Sequence, residues 1–116
     1  MNIQQIKMNG ATYEFRFDYA CLRKAQHNVE RKRSLGKVVT ELDAQHDMYV
    51  LGLNKGAEVA GKVPTMTADK LDGILGEDPD ALFYLAKALE ADVKIYTDRM
   101  DGQEPNQPQE EEEEGN

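Results

Sequence analysis

The chain has few groups with which to do covalent chemistry. His27 and His46 are its two histidines, and Cys21 is its single cysteine. Nucleophilic or acid–base catalysis needs a nucleophile beside a base that takes its proton, and no recognisable Ser/His or Cys/His context surrounds these residues. Asp43 and Asp47 flank His46, but a metal centre needs several convergent ligands and the sequence has no such spacing. No Gly-rich loop with its Lys-Ser/Thr pair is present to cradle phosphate. His46 falls within an apolar helical stripe, which predicts a hydrogen-bonded core or boundary residue rather than a ligand. Cys21 lies beside Leu22 on a predicted helix and reads as a small buried apolar group rather than a reactive thiol. A single cysteine forms no internal disulfide and suits a reducing cytoplasm. The expectation is of a protein that is not an enzyme and uses no metal or cofactor.

Binding chemistry is better represented. Arg23, Lys24, Arg31, Lys32, Arg33 and Lys37 gather within residues 23–37, opposed only by Glu30. Such a segment contacts phosphates, acidic side chains of a protein partner, or the chain's own Glu110–Glu114 run; it also reads as a solvated turn between two helices. Specific DNA recognition is disfavoured, and nucleic acid is not the expected partner. The formal charge is −8; the seven acids of residues 101–116, with no base among them, account for −7, leaving residues 1–100 at −1. A helix-turn-helix over 18–50 would also leave few polar base-reading positions, because Val39, Leu42 and Tyr49 read as core.

The elements that position these residues follow from the pattern. Asn9-Gly10 is a strong type I′ hairpin signal, since both residues tolerate positive φ. Placing the turn there pairs Met8 with Ala11, Ile6 with Tyr13, Gln4 with Phe15 and Asn2 with Phe17. One side of the ribbon then carries Ile6, Met8, Tyr13, Phe15 and Phe17, and the other Gln5, Lys7, Thr12, Glu14 and Arg16. A slip of one residue destroys this sorting. Two strands are marginal in water, so something must cover the apolar side.

Asp18 is a helix cap, followed by Tyr19, Leu22, Ala25 and Val29 on one face. Arg31-Lys32-Arg33 interrupts, and Ser34 is a candidate cap for the next helix. In that helix Val39, Leu42, His46, Tyr49, Val50, Leu53, Ala57 and Ala60 share a face. Gly52 and Gly56 within it each cost roughly 1 kcal/mol relative to Ala. Their spacing predicts close approach of another helix or self-association; the alternative is that the helix ends near Gly56. Gly61-Lys62-Val63-Pro64 reads as a loop. Thr67 caps a short helix bearing Leu71, Ile74 and Leu75 and closed by Gly76. Asp78-Pro79 starts the last helix, whose stripe of Leu82, Leu85, Ala86, Leu89, Val93 and Tyr96 predicts a central place in the core. From Gly102 the apolar residues vanish, so residues 101–116 are expected to form a disordered acidic tail. No apolar run is long enough to cross a bilayer, and no basic-then-apolar leader opens the chain.

The run Met8-Asn9-Gly10-Ala11-Thr12-Tyr13-Glu14-Phe15-Arg16-Phe17, followed by Asp18-Tyr19-Ala20-Cys21-Leu22-Arg23, resembles the start of the small tail assembly chaperones of long-tailed bacteriophages. Those chains begin with a short strand, an Asn-Gly turn, a Tyr-x-Phe-x-Phe strand and a helix carrying a Leu-Arg pair. The Asp78-Pro79-Asp80-Ala81-Leu82-Phe83 helix and the acidic tail are also similar. The likeness covers about the first quarter of the chain well and the rest loosely. It implies a non-catalytic chaperone in the host cytoplasm, absent from the mature virion, that binds the long tape measure protein before tail-tube protein polymerises around it. It also implies a longer form made by −1 frameshifting. Glu114-Gly115-Asn116 encoded as GAG-GGA-AAC would contain the slippery heptamer G-GGA-AAC in frame.

The expected architecture is thus α+β, mainly α. A single domain over 1–100 comprises a two-stranded hairpin (2–17) packed on about four helices within 18–99. The alternatives in function are a nucleic-acid-binding or regulatory module using segment 23–37, or a structural virion subunit of the tail or connector. For the Glu run they are a solubilising tail or an autoinhibitory strap over the basic segment.

Overall fold

Asn9 and Gly10 have φ of 49° and 82°, the pair of positive angles that a type I′ turn demands. The computed structural model describes residues 2–102. The turn joins β1 (Gln4–Met8) to β2 (Ala11–Phe15), and the helices α1 (Tyr19–Ser34), α2 (Glu41–Val59), α3 (Ala68–Glu77) and α4 (Ala81–Met100) follow. This is an α+β, mainly α fold, a two-stranded antiparallel hairpin with four helices. The register pairs Gln4 with Phe15, Ile6 with Tyr13 and Met8 with Ala11, as the hydrophobic sorting requires. Asn2–Phe17 lies beyond the ladder. Ile6, Met8, Phe15 and Phe17 are all buried.

α2 is the hub: β2, α1, α3 and α4 all pack against it, while β1 packs on α4. α4 is central to the core as expected, supplying Ala81, Leu85, Ala88 and Leu89, but α2 touches more elements. The reason lies at Gly52 and Gly56, both buried. The hairpin, not another helix, approaches there. A Cβ at Gly56 would stand 2.5 Å from the Glu14 carbonyl and the Phe15 nitrogen, and one at Gly52 would enter the Phe15 ring. The strand comes close enough for the Arg16 N–H to donate to the Gly52 carbonyl at 3.0 Å. This face is therefore filled from within the chain and is not a surface for a second copy. α2 also runs through Gly56 to Val59.

Boundary chemistry accounts for the other differences. Asp18 caps α1, accepting from the Cys21 N–H at 3.2 Å. Arg31, Lys32 and Arg33 do not interrupt α1; they form its last turn, where cations offset the negative end of the helix dipole. Ser34 bonds back to the Arg31 carbonyl and closes α1. Gly36, at φ 79°, completes a Schellman ending, with Gly36 N–H to Arg33 O and Lys37 N–H to Lys32 O, both 3.0 Å. The cap of α2 is Thr40, in a reciprocal capping box with Asp43. Thr67 caps α3 as expected, but Gly76 lies inside that helix, which ends at Glu77.

Asp78 does not cap α4. Its Oδ2 accepts the Asn9 N–H at 2.7 Å, and Glu77 accepts from the Asn9 amide at 3.1 Å, so this junction fastens the hairpin turn. Asp80 holds the N-cap position without a side-chain bond.

On α4 the buried face is Ala81, Leu85, Ala88, Leu89 and Asp92. Leu82 and Ala86 of the expected stripe are exposed. Asp92 was invisible to hydrophobic pattern. Its Oδ2 accepts the buried Phe17 N–H at 2.8 Å, and its Oδ1 accepts from the Gln4 amide at 3.0 Å. That amide also donates to the Ala88 carbonyl. Burial pushes the Asp92 carboxyl above its ordinary range, against the downward pull of the Phe17 and Gln4 hydrogen bonds and the Arg16 charge.

Gly56→Ala should destabilise the protein by about 1–3 kcal/mol, the usual cost of overpacking. Gly73→Ala, in α3 with open space around it, should stabilise by about 0.5–1 kcal/mol; urea denaturation reads both. Asp92→Ala, which strands the Phe17 N–H, should cost about 1–3 kcal/mol. The sign of its pH dependence follows from the raised pKa. The native state holds the Asp92 proton more tightly than the unfolded chain, so wild-type stability from this group is greatest below the ordinary carboxylate pKa. It declines as pH rises through the folded value and is level above it. Unfolding curves across the acid range should show the gap to Asp92→Ala narrowing with rising pH and then holding constant.

Candidate docking surfaces

Two surfaces stand out, and the basic residues of segment 23–37 are divided between them. The first is a groove of about 670 Å³ whose lining includes Val38, Val39, Leu42, Leu75 and Leu82, with Tyr49 also contributing. It is built across α2. The α1–α2 connection supplies Val38 and Val39 on one side, and α3 and the first turn of α4 supply Leu75 and Leu82 on the other. The Schellman turn at Gly36 and the Thr40 capping box fix the connection, so its apolar side chains are held outward. Val38 is 86% exposed and Leu42 68% exposed. Leu42 thus departs from the expected core stripe, because among the described residues no element covers its side of α2.

Next to Leu82 along α4, Phe83 and Tyr84 are 60% and 55% exposed. They meet edge to face at 5.4 Å between ring centroids, and Lys87 sits 5.5 Å from the Phe83 ring centre. They do not line the groove, but exposed aromatics have the composition of interface anchors.

Charged groups also line the groove. Lys32 and Lys37 come from α1 and its connection, and Asp43, Asp47 and Asp72 from α2 and α3. His46 lies there as the hydrogen-bonded boundary residue that the pattern predicts, with Nε2 3.0 Å from the Ala68 carbonyl and 3.2 Å from Asp72 Oδ1. Among the described residues no Ser, Thr or Cys lines the groove beside this pair. Among the described residues no cluster of three or more His, Cys, Asp or Glu is placed to hold a metal ion.

The second surface is the outer face of α1, a shallow area bordered by Arg23, Lys24, His27 and Arg31. Residues at i, i+1, i+4 and i+8 share one side of a helix. Arg33, two positions past Arg31, points away from that stripe at about 100° per residue. The structure therefore brings together Arg23, Lys24 and Arg31, places Lys32 and Lys37 at the groove, and leaves Arg33 apart from both.

Cys21 is buried, with its Sγ 3.8 Å from the Arg16 and Leu51 carbonyls. Burial pushes its thiol up to about 11. Asn54 of α2 is a polar residue that the sequence pattern does not single out. Its amide bonds both the N–H and the carbonyl of Met66, at 2.8 and 2.9 Å, and so pins the α2–α3 loop. A lone Asn in a helix gives no signal of this, because its partner is twelve residues away.

No family model, curated protein or solved structure matches the chain. No helix among the described residues is long and apolar enough to cross a membrane.

A thiol reagent at mild alkaline pH should leave Cys21 unmodified in the native protein and label it fully in denaturant. Fast labelling of the native state would show that the site opens.

Proposed function

We propose that the protein is a non-catalytic tail assembly chaperone that binds the tape measure protein and keeps it soluble until tail-tube subunits assemble around it. The observation that carries this reading is the aliphatic groove at Val38, Val39, Leu42, Leu75 and Leu82. A long amphipathic helical client exposes apolar stripes and aggregates. A groove of this kind takes one face of such a helix through residues at i, i+3, i+4 and i+7. Surface apolar side chains concentrated in one place mark an interaction site more often than scattered ones do. The resemblance of Met8–Arg23 to the opening of the phage chaperones supplies the identity of the client. On this reading the protein works in the host cytoplasm and is left out of the finished virion.

The test is co-expression with the long, coiled-coil-rich tape measure protein of the same genome. Its solubility should depend on this protein, and the two should elute together. Equal solubility alone, with no complex, would overturn the reading. Leu42→Asp probes the groove itself. The acid sits in the first turn of α2, where the helix dipole favours it, so the fold should hold. Capture of the client should weaken about tenfold or more, equivalent to about 1.4 kcal/mol. Recovery of the protein from purified particles would point instead to a structural virion subunit.

A further inference from the structure

Tyr49 brings a polar group to the groove that the fold leaves without a partner. Its side chain is 3% exposed and belongs to the core with Leu53, Leu71 and Leu85, yet it also lines the groove. Side chains of a helix lean toward its N-terminus, which carries the Tyr49 ring back toward His46 and Leu42, one and two turns earlier on the same side of α2. Among the described residues its hydroxyl makes no hydrogen bond, and the oxygen is not sealed from solvent. Burial alone pushes this hydroxyl above its ordinary range, with no hydrogen bond acting on it. The molecule pairs its other enclosed polar groups. Asp92 takes the Phe17 N–H and the Gln4 amide, Asn54 takes both backbone groups of Met66, and the His46 ring is engaged by Ala68 and Asp72. A buried tyrosine hydroxyl ordinarily finds a partner too.

On the reading of the groove as the seat of a helical client, on which this rests, we propose that the Tyr49 hydroxyl is its specificity-determining group. It selects an amphipathic helix whose apolar stripe carries one neutral hydrogen-bonding side chain, an amide or a hydroxyl, and so fixes the register of that helix. In the open groove the hydroxyl meets water. A helix that covers Leu42, Leu75 and Leu82 removes that water. If its stripe is wholly apolar, the hydroxyl is stranded in a dry site, which costs more than an ordinary hydrogen bond gains. If one side chain there pairs with it, the cost disappears. The ring is held in the core, so the hydroxyl cannot turn away. A lone polar residue in an apolar helical seam sets register in coiled coils for the same reason. Charge narrows the chemistry of the partner group. Asp43, Asp47 and Asp72 line the groove and outnumber Lys32 and Lys37, so a carboxylate is disfavoured there and a neutral group is preferred.

Synthetic amphipathic helices of about 20 residues, long enough to hold helical structure, test this. One carries leucine throughout its stripe; the others replace one leucine, at successive positions, by Gln or by Glu. Fluorescence anisotropy reads their affinities for the full-length wild type and for Tyr49→Phe. The best Gln helix should bind the wild type about threefold to tenfold more tightly than Tyr49→Phe, the range that one hydrogen bond supplies. The order should reverse for the all-leucine helix, which Tyr49→Phe should bind about fivefold or more tightly than the wild type, because no hydroxyl is stranded. Glu at the best position should bind less tightly than Gln, and Leu42→Asp should weaken every helix. Urea denaturation of Tyr49→Phe should match the wild type, since only an unpartnered hydroxyl is lost. Equal wild-type to Tyr49→Phe ratios for the Gln and all-leucine helices overturn the proposal, as does failure of every helix to bind. A destabilised Tyr49→Phe would reveal a partner inside the fold and overturn it too, and Glu binding as tightly as Gln overturns the assignment of a neutral group. Crossed ratios without capture of the tape measure protein leave the selectivity standing and remove that client. Capture of that protein through Leu42 with no crossing removes the selectivity alone.

Discussion

The contact on which the rest of the structure depends is the one between β2 and the two glycines of α2. A two-stranded ribbon is not stable by itself in water, and its apolar side must be covered at short range. A helix normally keeps a strand at a distance set by its side chains. At Gly52 and Gly56 there are none, and the backbone of Glu14 and Phe15 settles directly onto the helix backbone. Phe15 is thereby buried completely, and the Arg16 N–H finds an acceptor on the helix. With the ribbon fixed, Asp18 is in place to start α1, and Lys55 reaches it from α2 at 3.7 Å. Lys62, just past the end of α2, closes on Glu14 at 2.7 Å, and this hydrogen bond holds the Glu14 carboxyl below its ordinary range.

Local chemistry made much of this readable in the sequence. The Asn9-Gly10 turn, the strand register, the Asp18 and Thr67 caps and the order of elements each rest on interactions between residues close in sequence. The misreadings arise where a residue serves a distant element. Asp78 has the look of a helix cap but spends its carboxylate on Asn9, and Asp92 looks like an exposed helical acid but accepts from Phe17 and Gln4. The spacing of Gly52 and Gly56 announced a close approach but pointed to another helix, whereas the strand β2 makes it. Leu42 and Leu82 fit apolar stripes by periodicity, yet periodicity does not reveal that no element of the described residues covers them. The groove was therefore hidden among core positions. The basic segment was visible as a cluster, but its division into an outer stripe and two groove lysines depends on α1 continuing through Ser34.

The molecule separates its exposed apolar and positively charged surfaces by side. Apolar surface is gathered across α2 between the α1–α2 connection and the start of α4, and the uncompensated positive charge lies on the outer side of α1. Lys32 and Lys37 stand where the two regions meet. An apolar groove supplies affinity through the area it removes from water, while exposed charge mainly governs encounter and responds to salt.

The bond from Gln4 to Asp92 also governs when the protein can be completed during synthesis. The two residues are 88 positions apart, so the first strand of the chain must wait for the middle of the last helix. At about 5–20 residues per second, roughly 4–18 s pass between the appearance of Gln4 and that of Asp92. For that interval Ile6 and Met8 lack the α4 surface that will cover them. The ribbon can rest early on the glycines of α2, but β1 is sealed only when α4 arrives. The domain therefore closes from its two ends at once, and a chain interrupted before Asp92 would leave its opening strand uncovered.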